Sequence, residues 1–383
     1  MVYWTAEQLL SKLVSFDTVS KRSNMELVDF VQEYLAGFGV QSTLVPSDNG
    51  AKANLFATIG PKDRKGVILS GHTDVVTVDD QVWETDPFTV VRKNNRLFGR
   101  GTADMKSFIA IALSRVSAMQ QAGLKKPIHF AFSYDEEDGC LGAPSMIREI
   151  TANFPLSQAV IVGEPSMMKV INAHKGLNRF VTKVTGYGGH SSQVNRNCSA
   201  VMTAARLVTF LEDMMEKNKQ SALADSLFTP PYTTIHIGEI NGGTSWNINA
   251  RNCLFSWDMR NIPDDDVNDY IERFEAFCAP IIRKMKTVSE ECEIKTTILS
   301  NAPPLKPEQD SLAETLCKRL LGQNQTEVVS YGTEAGQFQE AGFSVVVCGP
   351  GSIDQAHQPN EYIDLSQFDA CKSFMDKLMA HLS

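Results

Sequence analysis

No CxxC pair occurs among the eight cysteines of this chain, Cys140, Cys198, Cys253, Cys278, Cys292, Cys317, Cys348 and Cys371. A structural zinc ribbon needs closely paired thiolates, so that class is excluded. Scattered thiols also fit a reducing compartment better than a disulfide framework. Long apolar runs are missing too. Stretches such as Ser344–Cys348 fall far short of the roughly 20 residues of a spanning helix, and no transmembrane segment is expected. Met1–Glu7 lacks a basic region followed by an apolar run, so a secretory leader is not expected. There is no basic excess: 36 Lys and Arg face 45 Asp and Glu, a net charge of −9 and the opposite of a nucleic-acid footprint. Internal repeats and low-complexity tracts are lacking. These absences together predict a cytoplasmic protein with neither nucleic-acid nor membrane partners.

What is present is an ordinary globular balance, 43% hydrophobic and 21% charged. At 383 residues the chain exceeds one ordinary core and predicts two domains. Up to about residue 175, helices (7–14, 25–38 and an amphipathic 105–119) alternate with short apolar strands (41–45, 54–58, 67–70, 128–133, 159–162). Asp104 stands where an N-cap for the third helix would. That order predicts an α/β fold, a mostly parallel sheet with helices on both faces. The middle region differs: strand 180–185, helix 199–215, strands 233–240 and 252–259, helix 264–285, strand 292–299. Strand-helix-strand-strand-helix-strand is the α+β ferredoxin-like unit. Pro303, Pro304 and Pro307 then mark a return to the first domain, whose last strand is 344–348. The expected division is 1–176 with 301–383 as a metal-binding catalytic domain, and 177–300 as an inserted dimerisation or lid domain.

Several polar residues stand just past the apolar strands, where an open α/β sheet forms its ligand crevice. Gly71-His72-Thr73-Asp74 follows the first buried strand, and Gly99-Arg100-Gly101-Thr102-Ala103-Asp104 leads into the long helix. Asp135-Glu136-Glu137-Asp138-Gly139 follows strand 128–133, Gly163-Glu164-Pro165 follows strand 159–162, and His357 lies in the loop after the last strand. Singly, each reads as a surface or capping group. Converging, they would repel strongly unless a cation neutralised them. Zinc takes imidazole and carboxylate ligands, and a two-ion site needs a bridging carboxylate plus a His and a carboxylate for each ion. His72, Asp104, Glu137, Glu164 and His357 supply that count.

These motifs, in this order, resemble metallopeptidase family M20, the aminoacylase-like hydrolases. The chain has Gly71-His72-Thr73-Asp74-Val75-Val76, Gly99-Arg100-Gly101-Thr102-Ala103-Asp104-Met105-Lys106, Glu136-Glu137, Gly163-Glu164-Pro165 and the late His357. The likeness covers essentially the whole chain. Tyr331–Gly336 and Cys348–Tyr362 are most similar to members that remove a small acyl group from an amino-acid nitrogen. The resemblance implies two zinc ions, with cobalt as the alternative: one held by His72 and Glu164, the other by Glu137 and His357, with Asp104 bridging. It makes Glu136 the general base, Asp74 the orienter of His72, and His190 an oxyanion donor arriving from the partner in a homodimer.

The residues themselves agree with several of these roles. Asp74, two positions beyond His72 on extended chain, shares its face and can accept the ring's other N–H. Neighbours Glu136 and Glu137 point in different directions, so one can bind metal while the other reaches water. Asp135 and Asp138 read as a solvated acidic run. An N-acyl amino-acid substrate carries an α-carboxylate, for which Arg260 is the candidate partner, assisted by Asn247. Glu334 is the candidate partner for a side-chain amine. His129 and His236 alternate with apolar residues and read as packing groups, His381 reads as solvated, and His174 is open. Two other classes compete: a cysteine-nucleophile hydrolase at Cys140, which has no local His, and a non-catalytic amino-acid-binding dimer scaffold.

Overall fold

The computed structural model describes residues 3–383, so the first two residues of the expected leaderless N-terminus lie outside the described residues. The chain forms two compact units. One takes in the chain up to Ala173, Leu305–Val328 and Thr333–Ser383; the other is His174–Pro304 with Val329–Gly332. The insert thus begins and ends a few residues outside 177–300. Its sheet explains this, because Leu177 pairs with Ala302 and the chain stays in the sheet until then. Val329–Gly332 also joins the second unit, where the Ser330 hydroxyl donates to the carbonyl of Thr229 at 2.7 Å.

An eight-stranded sheet organises the first unit, in the order Ser42–Pro46, Ala53–Ile59, Ile128–Ser133, Val67–His72, Ala159–Pro165, Val345–Gly349, Ile171–His174, Glu327–Val329. The third to sixth strands of that order run parallel. Antiparallel pairings flank them on both sides. The parallel strands are buried along their whole length, as a sheet covered on both faces requires. A three-stranded sheet (Tyr362–Asp364, Arg96–Phe98, Val91–Lys93) was not foreseen, since three-residue strands are too short to show a period.

The central helix differs from expectation. It spans Lys106–Ser114, and Val116–Gln121 forms a separate short helix after Arg115. Every residue from Lys106 through Leu113 is buried, so it has no polar face. Asp104 does not cap it; Met105 holds the N-cap position without a side-chain bond. Gly163, on the strand Ala159–Pro165, lies so close to this helix that an added Cβ would collide with the Phe108 ring.

The second unit carries an antiparallel sheet ordered Thr234–Gly242, Asn252–Arg260, Leu177–Thr185, Glu293–Ala302. With helices Ala200–Gln220 and Val267–Lys286 this is the ferredoxin-like arrangement. Period-2 burial sends Phe180, Phe255 and Trp257 into one core, where Phe180 and Trp257 stack with centroids 4.0 Å apart.

The histidines outside the site sort by burial. His129 is buried, stacked on Phe56, with Nδ1 2.9 Å from the Thr58 hydroxyl. His236, expected to pack, is exposed: it falls on the outward phase of its strand. His381 is exposed, and His174 is buried with Nδ1 2.8 Å from the Lys175 carbonyl.

Candidate metal centre

The carboxyl ends of the parallel strands deliver the site. His72 closes the strand Val67–His72, Glu164 lies near the end of Ala159–Pro165, and Glu136 and Glu137 follow Ile128–Ser133. His357 comes from the loop after Val345–Gly349, and Asp104 from the segment ahead of the buried helix. All five expected ligands converge. Asp104 divides its carboxylate between two rings: Oδ1 is 2.9 Å from His72 Nε2, and Oδ2 is 3.5 Å from His357 Nε2. Glu164 Oε1 lies 3.5 Å from His72 Nε2, and Glu137 Oε2 lies 2.9 Å from His357 Nε2. The potential ligand atoms of His72, Asp104 and Glu137, and likewise those of His72, Glu136 and Glu164, lie within 4.8 Å of one another.

The charges show what this cluster wants. Burial, together with nearby carboxylates, pushes Glu164 well above the usual range and also raises Glu137. Burial pushes Glu136 up to about 8, against the pull of His72 and with help from Glu137, Asp104 and Asp74. Burial opposes charge on His72, but Glu164, Asp104 and Asp74 outweigh it and hold the imidazole well above its usual value. Hydrogen bonds to Asp104 and Glu137 raise His357 to about 10. Burial would raise Asp104, yet the two histidines hold it below the carboxylate range. Protons are standing in for positive charge. Glu164 Oε1 is buried with no hydrogen-bond partner among the described residues, a cost that a cation would remove. Imidazole nitrogens and carboxylate oxygens are donors that suit zinc or a similar divalent ion, so the residues fit the metal.

Asp74 orients the site differently from expectation. His72 Nδ1 meets the main-chain carbonyl of Asp74 at 2.9 Å, while the carboxylate stands 3.6 Å away. That carboxylate accepts from the Ser20 hydroxyl at 2.7 Å and from the main-chain N–H groups of Glu136 and Glu137 at 3.2 Å each. It therefore ties the histidine strand to the acidic loop. Asp135 is paired with Lys52 rather than solvated. Asp138 is half-buried and has a partner of its own, so the pair is not a solvated run. Cys140 is buried and donates to Glu136 Oε1 at 3.3 Å; burial pushes its thiol well up, the reverse of an activated nucleophile.

Glu334 is buried, with Oε1 accepting from Ser70 and Oε2 from Ser133, both at 2.6 Å. Each oxygen takes one hydroxyl, so Glu334 braces the strands that carry Ser70 and Ser133. His190, Asn247 and Arg260 belong to the second unit. His190 is exposed on a two-residue strand paired with Ile248–Asn249. Its Nδ1 accepts from the Ser192 main-chain N–H at 3.2 Å, which leaves Nε2 as the ring nitrogen placed to donate. Asn247 is half-buried and accepts from the Ser245 hydroxyl at 2.8 Å, while its carbonyl takes the N–H of Ser191. Arg260 is partly exposed, 3.5 Å from Asp258. Sequence reading missed two buried ions behind the site, Arg100 and Glu361. Both lay inside stretches already singled out, and a Glu set in a loop rich in Pro and Gly was the available signal.

The family described as Peptidase family M20/M25/M40 matches residues 68–381. The chain is 31% identical over 379 residues to acetylornithine deacetylase of Pasteurella multocida, covering 97% of this chain and 96% of that protein. It is 34% identical over 366 residues to acetylornithine deacetylase of Salmonella arizonae, covering 94% and 91%. Among solved structures, an M20 family metallo-carboxypeptidase from Sulfolobus solfataricus superposes with a TM-score of 0.77 at 17% identity, covering 98% of this chain and 99% of that one. Human carnosine dipeptidase 1 gives 0.72 at 16% identity, covering 98% and 96%. At such identities the structures share the fold.

Proposed function

The chain belongs to peptidase family M20/M25/M40 and is a metal-dependent amidohydrolase, and from that premise we propose that it deacetylates N2-acetyl-L-ornithine, releasing L-ornithine and acetate for arginine biosynthesis. The observation that carries the chemistry is Asp104, whose two oxygens are shared between His72 and His357, each of which has a second carboxylate beside it. The substrate reading is supported by named relatives above 30% identity over more than nine-tenths of this chain.

His72 and Glu164 would hold one divalent ion, His357 and Glu137 the other, with Asp104 between them. Zinc is the proposed metal and cobalt the alternative. When bound, the ions supply Lewis acidity and a water whose pKa falls from 15.7 toward about 7. Glu136 does the proton work. Its carboxylate takes a proton from the attacking water and passes it to the amide nitrogen as that nitrogen leaves. The Cys140 thiol fixes one Glu136 oxygen and leaves the other to turn toward water. His190 presents its Nε2–H as the donor for the tetrahedral oxyanion, supplied by the partner copy in a homodimer. Arg260, with Asn247 beside the His190 ribbon, is proposed for the α-carboxylate.

Purified protein loaded with zinc or cobalt should be assayed against N-acetylornithine, N-acetylcitrulline and N-succinyl-diaminopimelate. The first should have the highest kcat/KM; preference for either of the others would overturn the substrate while leaving the reaction class. Glu136→Gln should keep both metal ions and lose roughly 10²–10⁴-fold in turnover, the usual worth of a general acid–base group. Retained turnover would refute its role.

A further inference from the structure

Behind the acidic cluster lies a chain of buried polar contacts that the mechanism does not use. Arg100 and Glu361 are each only 1% exposed, and the guanidinium donates through one NH₂ to Glu361 Oε2 at 2.7 Å. The rest of that carboxylate serves the main chain. Oε2 accepts from Gly101 at 3.0 Å, and Oε1 accepts from Ala103 at 2.8 Å and Asp104 at 3.1 Å. Those N–H groups belong to the segment that aims Asp104.

The other limb of Arg100 donates to Gln81 Oε1 at 2.6 Å, and Gln81 Nε2 donates to the main-chain carbonyl of His357 at 3.0 Å. His357 needs such a tether. Its side chain is 51% exposed, against 1% for His72, and its backbone sits at a φ of 62°, where residues other than Gly are uncommon. A ring on such a loop is held in place by what grips its backbone.

We infer that Arg100, Glu361 and Gln81 are positioning residues that fix Asp104 against His357, setting the half of the cation site that Glu137 completes; this rests on the metal-hydrolase reading above. A buried ion pair contributes little net stability compared with apolar packing. Here it satisfies main-chain donors and orients two ligands at once, which apolar side chains would not do. Groups that hold ligands in this way are typically worth 10–100-fold in metal affinity.

Gln81→Glu isolates the His357 limb. A carboxylate at 81 still accepts from Arg100 and from the Trp83 indole N–H, now 3.2 Å away, but it no longer donates to the His357 carbonyl and sets two acceptors face to face. In competitive titrations with zinc alone, wild type should bind two ions. Gln81→Glu should lose roughly tenfold to a hundredfold in affinity for one of them, keep the other, and unfold at the wild-type midpoint in chelator. Glu361→Gln, which must point an amide donor at other donors, should weaken both ions. A wild type that takes up no zinc would refute the metal-hydrolase reading itself. Two ions bound by Gln81→Glu as tightly as by wild type would overturn the clamp alone. So would equal losses at both ions together with a lower midpoint in chelator, since that pattern means bracing of the fold.

Discussion

At the scale of single residues, burial decides what each titratable group can do. His129 is held to about 4, below its ordinary 6.5, because its ring is buried among Phe56, Phe154 and Thr58. Above pH 6.5 it is neutral whether folded or unfolded. As pH falls from 6.5 toward 4, the unfolded chain takes up a proton that the folded ring refuses, so stability falls; below 4 the loss levels off. Each pH unit in that window costs about 1.4 kcal/mol per such group. His174, also lowered to about 4, shares the behaviour. His129→Phe should therefore flatten, without abolishing, the decline in urea midpoint between pH 6.5 and 4; an unchanged slope would disprove the assignment. The expected ligands were legible in the sequence because His72, Glu137 and Glu164 stand at or just past strand ends, and all five lie beside a small or turn residue. The partners of Asp74 and Glu334 were not, since Ser20, Ser70 and Ser133 are far off in the chain and seem bland until the sheet brings them together.

At the scale of elements, legibility followed amphipathicity. The helices Ala200–Gln220 and Val267–Lys286 each have one buried face, and their period was plain. The stretch read as one amphipathic helix is instead the helix Lys106–Ser114, buried all round, followed after Arg115 by the short helix Val116–Gln121; Lys106 and Ser107 suggested a polar face that the enclosed helix does not have. Its tight seat makes a further prediction. Gly163→Ala places a methyl against the Phe108 ring, where neither the strand nor the enclosed helix can yield. Overpacking of this kind costs about 1–3 kcal/mol. Denaturant unfolding in chelator should show that loss, and wild-type stability would mean that the ring has somewhere to go.

For the whole molecule, the fold class and the inserted ferredoxin-like unit were readable from element order alone. The return of Val329–Gly332 to the second unit was not, because four residues carry no pattern. The candidate site draws on segments from His72 to His357, so only the folded chain can gather its ligands. Zinc should therefore stabilise the protein, by about 2.7 kcal/mol at a free concentration one hundred times its Kd. Chelator should lower the melting temperature and zinc should restore it. Identical melts with and without zinc would count against a site assembled by folding.

The sheet order has a bearing on how the protein is made. Val345–Gly349 is inserted between Ala159–Pro165 and Ile171–His174, in the interior of the sheet rather than at its rim. A ribosome exposes the two flanking strands some 170 residues before their neighbour emerges, at about 5–20 residues per second. For much of its synthesis the nascent chain carries the strands up to Ala159–Pro165 with an open edge and Ile171–His174 without its sheet neighbours, the kind of surface that chaperones shield and that otherwise recruits the wrong strand.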